Sequence, residues 1–272
     1  MNFLRTCAVA TQIACLTAVV AACSHTGGSA DDIDASGVAD SIVSQSIIDV
    51  DGKSFLRLDI NTSKASVELT DSIIPNIDDP NICLCVEAAF TGVKKDSFSA
   101  SNVAGDYICA GRLRHGYRCE ANTGLLYSDS KNVIIAPTDS LDTLSRRAQA
   151  TGGSLFQQML LVHNGKDVYH DNPIFKNNKN IYRAICVFDD DAAKDNGVKH
   201  PKGFSIIQCR YPVTMDTFMS ALLRIGIRHA LYLDMGMGWN YGWFRANAGE
   251  PARLLFAVRS IYQTNWLVVR AR

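Results

Sequence analysis

The sequence lacks an excess of charge of either sign. Among its 272 residues, lysine plus arginine and aspartate plus glutamate both number 27, so the formal net charge is zero. A protein that binds nucleic acid electrostatically shows a basic excess or a basic stripe. The composition therefore argues against nucleic acid as a partner. With 47% hydrophobic and 20% charged residues, it is typical of an ordinary globular protein.

Metal-binding patterns and repeats are also lacking. No CxxC pair and no histidine cluster has the spacing of a zinc site. The three aspartates at 189–191 do not have the spacing of an EF-hand calcium loop. We therefore expect no bound metal and no cofactor, and no internal repeat is evident.

The sequence has no apolar run long enough for a confident membrane span. Ala8–Ala22 is short and interrupted by polar residues, and it follows the positive Arg5, a pattern typical of a secretory signal. Small residues stand before Cys23, as in a bacterial lipobox; the alternative is an ordinary signal peptide with a chance cysteine. We predict a lipid-anchored cell-envelope protein with three parts, a signal peptide over 1–22, the lipidated Cys23 and a flexible tether to residue 40, and one domain over 41–272.

An exported location allows disulfides. Beyond the signal and anchor, six cysteines remain: Cys83, Cys85, Cys109, Cys119, Cys186 and Cys209. Cys83 and Cys85 are two residues apart in an apolar run, a poor geometry for a mutual bridge. Cys109 and Cys119 could close a short loop. We favour the alternative that most of the six are small buried apolar residues.

Alternating apolar residues and turn signals predict an α+β fold, with a mixed, strand-rich twisted sheet and a few packed helices. A hairpin is expected over 44–60, turning at Asp51-Gly52. Asn81–Phe90 is a near-continuous apolar run that predicts a buried central strand. Glu87 is its one charged residue, and it either has a buried partner or faces water at a sheet edge. Further strands are predicted over 127–136, 155–163, 182–188, 205–211, 253–258 and 266–270.

Two helices are predicted from their terminal signals. Ser140 would cap a short helix that ends at Gly152. Thr214 would cap a helix over about 214–225, with an apolar stripe and a stop at Gly226. A strand follows at once, so the order strand, helix, strand favours a βαβ-like crossover. That crossover would place Asp234 beside the strand that begins at Ser205.

The stretch Ala230–Arg245 carries the strongest functional signal. It begins as a strand ending at Asp234 and continues as a glycine-rich loop with interleaved aromatic residues. Glycine allows close approach of a ligand, and tryptophan and tyrosine offer flat faces with a polar handle. A carboxylate on such a turn suits a glycan site; the alternative is that the aromatics are core and the glycines are turns.

Two further segments contain candidate site residues. Tyr182–Phe188 places Arg183 on the same face as apolar residues, where a guanidinium either has an anionic partner or lies on an exposed surface. The polar segment 91–124 has few apolar runs, and such segments in compact domains are often functional. It contains the acid-base candidates Asp106, His115 and Glu120.

Four segments together resemble the phosphodiester glycosidase family: ANTGLLYSDSKNVII at 121–135, GGSLFQQMLLVHNGK at 152–166, YRAICVF at 182–188, and the helix and strand at 214–236. AAFTG at 88–92 and LDMGMGWNYGWFR at 233–245 are similar to a subgroup of Bacteroidota lipoproteins. The chain departs from the family in having Asp234-Met235-Gly236 where Asp-Gly-Gly is common, and in lacking the early Asn-Gly-Gly.

The resemblance implies an exported hydrolase, a glycosidase that cleaves a sugar-1-phosphodiester on a glycan or glycoconjugate. Phosphate is a good leaving group, so the usual pair of catalytic carboxylates is less strictly required. Asp234 would act as base or nucleophile, and Arg183 would bind phosphate through its guanidinium fork. Further catalytic candidates are Asn122, Asp106 and Glu120; the substrate-binding candidates are Thr123, Gln158, Gly236, Trp239, Asn240, Tyr241 and Arg245, with Trp243 as an additional aromatic wall. The alternative is a non-catalytic glycan-binding or structural lipoprotein on the same scaffold.

Overall fold

A computed structural model describes residues 41–92, 99–169, 175, 178–188, 203–235, 241–255 and 264–272. The predicted signal peptide, Cys23 and the tether lie outside the described residues, as do Gly236, Trp239 and Asn240. No helix in the described ranges has both the length and the apolar character needed to cross a membrane.

The strands of the described residues pair antiparallel in three sheets. The first sheet contains β1 Val43–Val50, β2 Lys53–Ile60, β10 Leu160–His163, β11 Lys166–Asp167, β12 Arg183–Phe188, β13 Phe204–Cys209 and β14 Ile227–Leu233. The second contains β3 Ala65–Asp71, β4 Ile82–Glu87, β15 Gly242–Phe244, β16 Arg253–Leu254 and β17 Asn265–Ala271. The third contains β5 Tyr107–Cys109, β6 Arg112–Arg114, β7 Gly124–Ser128, β8 Val133–Pro137 and β9 Ser154–Gln158.

The strand orders are β1-β2-β13-β12-β14-β10-β11, then β16-β15-β4-β17-β3, then β6-β5-β9-β7-β8. The predicted α+β class, rich in strands with a helix near 214–225, is confirmed. The strands do not form one sheet, however; they divide among three. β4 is a central strand as predicted, buried along its whole length.

Two helices pack against these sheets in the described part of the chain, α1 Leu141–Thr151 and α2 Met215–Arg224. The predicted limits of α2 are confirmed, because Thr214 Oγ1 accepts a hydrogen bond from Thr217 N at 3.3 Å and Gly226 follows with a φ of +82°. Gly152 ends α1 in the left-handed conformation. Ser140 stands at the predicted N-cap position of α1, but a 3₁₀ turn leads directly into the helix and the serine side chain makes no capping bond.

The central strands of the first sheet are buried on both faces. On one face Ile185 and Leu231 pack with Val86 of the second sheet. On the other face Tyr232 packs in a cluster that includes Phe218 of α2. Fully burying a side chain of this kind stabilises the fold by roughly 1.5–3 kcal/mol. Since side chains alternate along a strand, Arg183 shares the face of Ile185 and lies between the first two sheets.

The hairpin predicted at the start of the domain is confirmed. β1 and β2 pair from Val43 opposite Ile60 to Val50 opposite Lys53. Asp51 and Gly52 both have positive φ, at 50° and 69°, as a two-residue hairpin turn requires. The strand predicted over 127–136 is instead a second hairpin, formed by β7 and β8.

The prediction of one strand over 155–163 is wrong, because the structure has two strands there. β9 pairs with β7 in the third sheet, whereas β10 pairs with β14 in the first. The break falls at Met159, whose N–H donates to Oε1 of Gln158 at 2.8 Å instead of to a neighbouring strand. A side-chain acceptor at this position lets the chain pass from one sheet to another without leaving the buried amide unpaired.

The prediction that Asp234 lies beside the strand from Ser205 is also wrong. β13, α2 and β14 do form a crossover, but β12 lies between β13 and β14 and pairs antiparallel with both. The residue opposite Leu233 is therefore Arg183. This insertion brings the guanidinium, and not the strand from Ser205, next to the end of β14.

All six cysteines of the predicted domain are free thiols. Cys83, Cys85, Cys186 and Cys209 are buried, which agrees with the favoured interpretation. Cys109 and Cys119 are partly exposed and line different pockets, so they do not close the short loop.

Candidate functional site

The segment that follows β4 lies where the three sheets meet. The carbonyl of Ala88 accepts a hydrogen bond from Asp234 N at 3.0 Å, and Gln158 Nε2 lies 3.5 Å from the same oxygen. Asn265, at the start of β17, holds the next residue, because its Oδ1 accepts from Ala89 N at 2.7 Å. The ends of β4, β9, β14 and β17 are thus tied to one short segment, which fixes the position of Asp234.

Beside this segment lies a buried polar cluster formed by Glu87, Arg183 and Asp234. Arg183 is fully buried, and Glu87 and Asp234 are only 1% and 5% exposed. Arg183 Nε donates to Gln208 Oε1 at 2.9 Å, and Nη1 donates to the carbonyl of Tyr241 at 3.4 Å. The alternative that Arg183 lies on an exposed surface is excluded. Arg183 is also the partner that a buried Glu87 was expected to have.

The contact between Glu87 and Arg183 is long. Arg183 Nη1 lies 3.8 Å from Glu87 Oε2, beyond hydrogen-bonding distance, while Glu87 Oε1 accepts from Tyr241 N at 2.9 Å. Glu87 Oε2 accepts no hydrogen bond from the described residues. The Glu87 carboxyl is therefore buried with too few hydrogen bonds to offset the cost of burying a negative charge.

The protonation states of the cluster follow from this burial. Loss of solvent raises the pKa of Glu87 to about 8, and Arg183 only partly opposes the shift. Burial lowers the pKa of Arg183 to about 10, with Glu87 and Asp234 among the groups that oppose the shift. Near pH 7, Glu87 thus carries a proton and Arg183 is charged, so the cation can stabilise the carboxylate of Asp234.

An open pocket of about 280 Å³, the outer pocket, is lined by Gly105, Asp106, Gly116, Tyr117, Arg118, Cys119, Asn122 and Gln157. Neither side-chain atom of the Asn122 amide has a hydrogen-bond partner in the described part of the chain. Gly105 has a φ of +77°, and a Cβ there would stand 2.7 Å from both Asn122 Nδ2 and Gln157 Nε2. A side chain at Gly105 would therefore displace both amides, so their observed positions require glycine there.

Tyr117 lines the outer pocket, and its side chain is partly enclosed by protein although the residue is 37% exposed. Burial, the Cys119 thiol and the charge of Asp234, in that order, raise the pKa of the Tyr117 phenol to about 12. The phenol therefore lies within electrostatic reach of Asp234 and remains a hydrogen-bond donor at neutral pH. A ligand in the outer pocket would contact the neutral Tyr117 phenol, whereas Asp234 is not among the residues that line this pocket.

The other predicted catalytic residues differ in position. Asp106 lines the outer pocket, and its carboxylate lies 3.3 Å from Nδ1 of the exposed His115. Gln157 Nε2 donates to the carbonyl of Asp106 at 2.9 Å and so fixes the backbone there. Glu120 is exposed and does not line the outer pocket.

Most of the predicted substrate-binding residues have structural partners. Thr123 Oγ1 accepts from Leu160 N at 3.0 Å, and Gln158 is fully buried at the break between β9 and β10. Tyr241 and Trp243 pack with Trp266 on the second sheet and do not line the outer pocket. The buried Arg245 stacks on Trp243 and donates to the carbonyl of Ile77. Their contact with substrate stays a prediction, as does the role of Arg183 as a phosphate ligand.

The sequence did not single out four residues that the structure places at the site. Glu87 was noted only as a charge needing a partner, and Tyr117, Arg118 and Gln157 were not selected. Tyr117 and Arg118 lie in the polar segment 91–124, which was expected to be functional, so the sequence contained a signal for these two residues. In the described residues, no group of three histidine, cysteine, aspartate or glutamate side chains comes together as a metal site would.

Comparison with known proteins supports the fold and does not identify the activity. No protein-family model matches the sequence, and no curated protein matches it. The structure is similar to that of the catalytic domain of zebrafish N-acetylglucosamine-1-phosphodiester alpha-N-acetylglucosaminidase, auto-inhibited by its pro-peptide. The TM-score is 0.50 at 11% sequence identity, and the match covers 86% of this chain and 83% of that one. At this identity the likeness shows a distant relationship of fold.

Proposed function

We propose that this chain is a phosphodiester-glycosidase-like hydrolase that cleaves a sugar-1-phosphodiester on a glycan or glycoconjugate. The observation that carries the proposal is the position of Asp234, which is buried at the end of β14, directly after the residue that pairs with Arg183. The similarity in fold to a domain whose name describes a phosphodiester substrate supports the choice of substrate class. Fold alone does not establish an activity, so the proposal depends on these residues.

In the proposed reaction, water replaces the phosphate at the anomeric carbon of the sugar. Asp234 serves as the base for that water or as the nucleophile, and the neighbouring Arg183 guanidinium stabilises its negative charge. Because phosphate leaves readily, no strong acid is required. Tyr117 offers a neutral hydrogen-bond donor to the outer pocket, and the amides of Asn122 and Gln157 support the walls of the pocket.

Two arginines differ in their access to a phosphate group. Arg183 is fully buried and bonds to protein groups, whereas Arg118 is exposed and lines the outer pocket. In its observed position Arg118 is the guanidinium that a phosphate in this pocket can reach. We therefore assign electrostatic support of Asp234 to Arg183 and the phosphate contact to Arg118. Direct phosphate binding by Arg183, as expected from the sequence, remains the competing assignment.

The substitution Asp234→Asn tests the reaction. Release of sugar from a synthetic sugar-1-phosphodiester should fall by about 10²–10⁴-fold, the usual contribution of a positioned base. Asp49→Asn is the matched control, since Asp49 is an exposed carboxylate on β1. Circular dichroism should show both variants folded. Equal turnover by wild type and Asp234→Asn would remove Asp234 from the mechanism.

A non-catalytic glycan-binding or structural role is the second candidate. The observation that favours it is Met235, which stands where the family commonly has glycine and packs at the edge of the cluster around α2. A methionine restricts the backbone more than glycine does. This alternative predicts that the wild-type protein retains a glycan ligand and releases no sugar from it.

We also propose that the protein is exported and lipidated at Cys23. The support is the apolar run that ends in small residues before this cysteine. Mass spectrometry of the protein from its native membrane should find a diacylglyceryl group on an N-terminal Cys23. A Cys23→Ala variant should move from the detergent phase to the aqueous phase on Triton X-114 partition. An unmodified cysteine in the mature protein would refute the anchor.

A further inference from the structure

A second cavity, the groove, lies between an edge of the first sheet and an edge of the second. It is lined by residues of the edge strands β1 and β16 and of the strands next to them. Its volume is about 650 Å³, within the usual range for small-molecule sites. We propose that the groove binds a fatty acid, that is, an alkyl chain that ends in one carboxylate. This inference is independent of the proposed hydrolase activity, because the groove shares no lining residue with the outer pocket.

The groove opens where the outer edge of β1 is left uncovered. At the start of β1, the carbonyl of Ala246 accepts from the N–H groups of Ile42 and Val43, both at 3.0 Å. In the described part of the chain, no strand pairs with β1 on this side. Gln45 and Ile47 are two residues apart, so their side chains share a face of β1, and both residues line the groove. The mouth of the groove therefore contains an isoleucine that is 44% exposed.

The floor of the groove is apolar and continuous with the core between the first two sheets. Ile47 lies opposite Leu56 of β2 in the strand register. Leu56 and Phe244 line the groove and belong to that core, in which they are only 9% and 4% exposed. Leu255 also lines the groove and is a partly buried residue that packs against the same core. An alkyl chain here would extend this apolar layer and remove its exposed end from water.

The charge of the groove is positive. Arg210 and Arg253 are exposed and line it, and no described lining residue is an aspartate or glutamate. Arg253 lies opposite Phe244 in the register of β15 and β16, so it shares the face that meets the first sheet. Arg210 donates to Ser54 Oγ at 3.4 Å, and neither arginine forms an ion pair with a described residue. Asp49, two residues beyond Ile47 on β1, does not line the groove.

This combination selects a ligand that is both anionic and apolar. Guanidinium groups bind carboxylate oxygens through charge-assisted hydrogen bonds, and two of them without an acidic neighbour in the lining complement one negative headgroup. The apolar floor complements a hydrocarbon chain. A fatty acid has both parts, whereas a sugar or a purely acidic peptide has no part that matches the floor.

Isothermal titration calorimetry with five probes tests the proposal: decanoate, octanoate, octan-1-ol, acetate and hexaglutamate. Octanoate should bind more tightly than octan-1-ol or acetate, because only octanoate has both parts. Decanoate should bind about fivefold more tightly than octanoate, since two further methylene groups are buried. Hexaglutamate should not bind.

Two sets of variants separate the headgroup from the chain. Replacing both Arg210 and Arg253 by alanine should weaken binding of decanoate by about tenfold or more and leave octan-1-ol unchanged. Arg146→Ala, an exposed arginine of α1 outside the groove, is the matched control. Ile47→Thr keeps a β-branched residue on β1 and should weaken both decanoate and octan-1-ol by about threefold. Its control is Ile73→Thr, an isoleucine that is 75% exposed and lies outside the groove.

Four results would overturn the proposal. Decanoate might bind no more tightly than octanoate, or the double arginine variant might bind decanoate as wild type does. Hexaglutamate binding as tightly as decanoate would identify the groove as a site for acidic peptides. Light scattering that finds a wild-type dimer, and a monomer for Ile47→Thr, would show that a second copy of the chain occupies the groove. Asp234→Asn should bind decanoate as wild type does, which separates the groove from the proposed hydrolase site.

Discussion

Glu87 should make the stability of this protein depend on pH in an unusual direction. Its pKa is raised from the ordinary 4.5 to about 8 by burial, so between those values the folded state holds a proton that the unfolded state has released. Linkage then requires stability to be fully present below about pH 4.5 and to decline as pH rises toward 8. Most buried acidic groups in ion pairs show the opposite trend.

The size of the effect follows from the shift. Each unit of pKa difference is worth about 1.4 kcal/mol. Over the window from 4.5 to about 8, the contribution of Glu87 should therefore fall by about 3–5 kcal/mol. Solvent screening does not reduce this figure much, because Glu87 is only 1% exposed.

Comparison with Glu87→Gln isolates this contribution from that of all other groups. The amide is close to the protonated carboxyl in shape, and its oxygen can still accept from Tyr241 N. Urea denaturation at pH 5, 6, 7, 8 and 9 should give similar stabilities for both proteins at pH 5. The variant should be the more stable by several kcal/mol at pH 9. Parallel curves, or a variant that loses relative stability as pH rises, would show that Glu87 is an ionised partner of Arg183.

Three further predictions concern stability measured by urea denaturation at pH 7. Arg183→Met should cost roughly 3–5 kcal/mol, because it removes the buried cation beside the carboxylate of Asp234; a cost near zero would contradict the cluster. Gln158→Ala should cost roughly 1–3 kcal/mol, since it leaves the buried Met159 N–H without its acceptor, whereas Gln149→Ala on the surface of α1 should have no effect. Thr214→Ala should cost about 1 kcal/mol through loss of the α2 cap. The control is Ser140→Ala, which should cost nothing because the Ser140 side chain makes no capping bond. A cost equal to that of Thr214→Ala would contradict this.

Local chemistry in the sequence was sufficient for several elements. Asp51-Gly52 predicts a two-residue hairpin turn, and the structure has both residues at positive φ. Thr214 and Gly226 predict where α2 begins and ends, because capping depends on residues within one turn of the helix. The continuous apolar run at 81–90 predicts a strand covered on both faces, as β4 is.

Elements that depend on distant residues were not predictable in the same way. The break between β9 and β10 gives no local sign, since both strands are apolar and the residue that permits the break is an ordinary glutamine. The insertion of β12 between β13 and β14 likewise depends on which strand edges remain available after the sheet forms. Strand order is a non-local property, and alternation along one strand does not specify its neighbour.

The candidate site shows the same division between sequence and tertiary structure. The sequence by itself determined that Asp234 ends a strand and that Glu87 and Arg183 would need partners if buried. Only the tertiary structure decided that these two lie beside each other and next to Asp234, with Asn122 and Gln157 brought to an outer pocket nearby. The physical reason is that burial and pairing of charges are set by contacts between residues far apart in the chain, whereas turns and caps are set by neighbours.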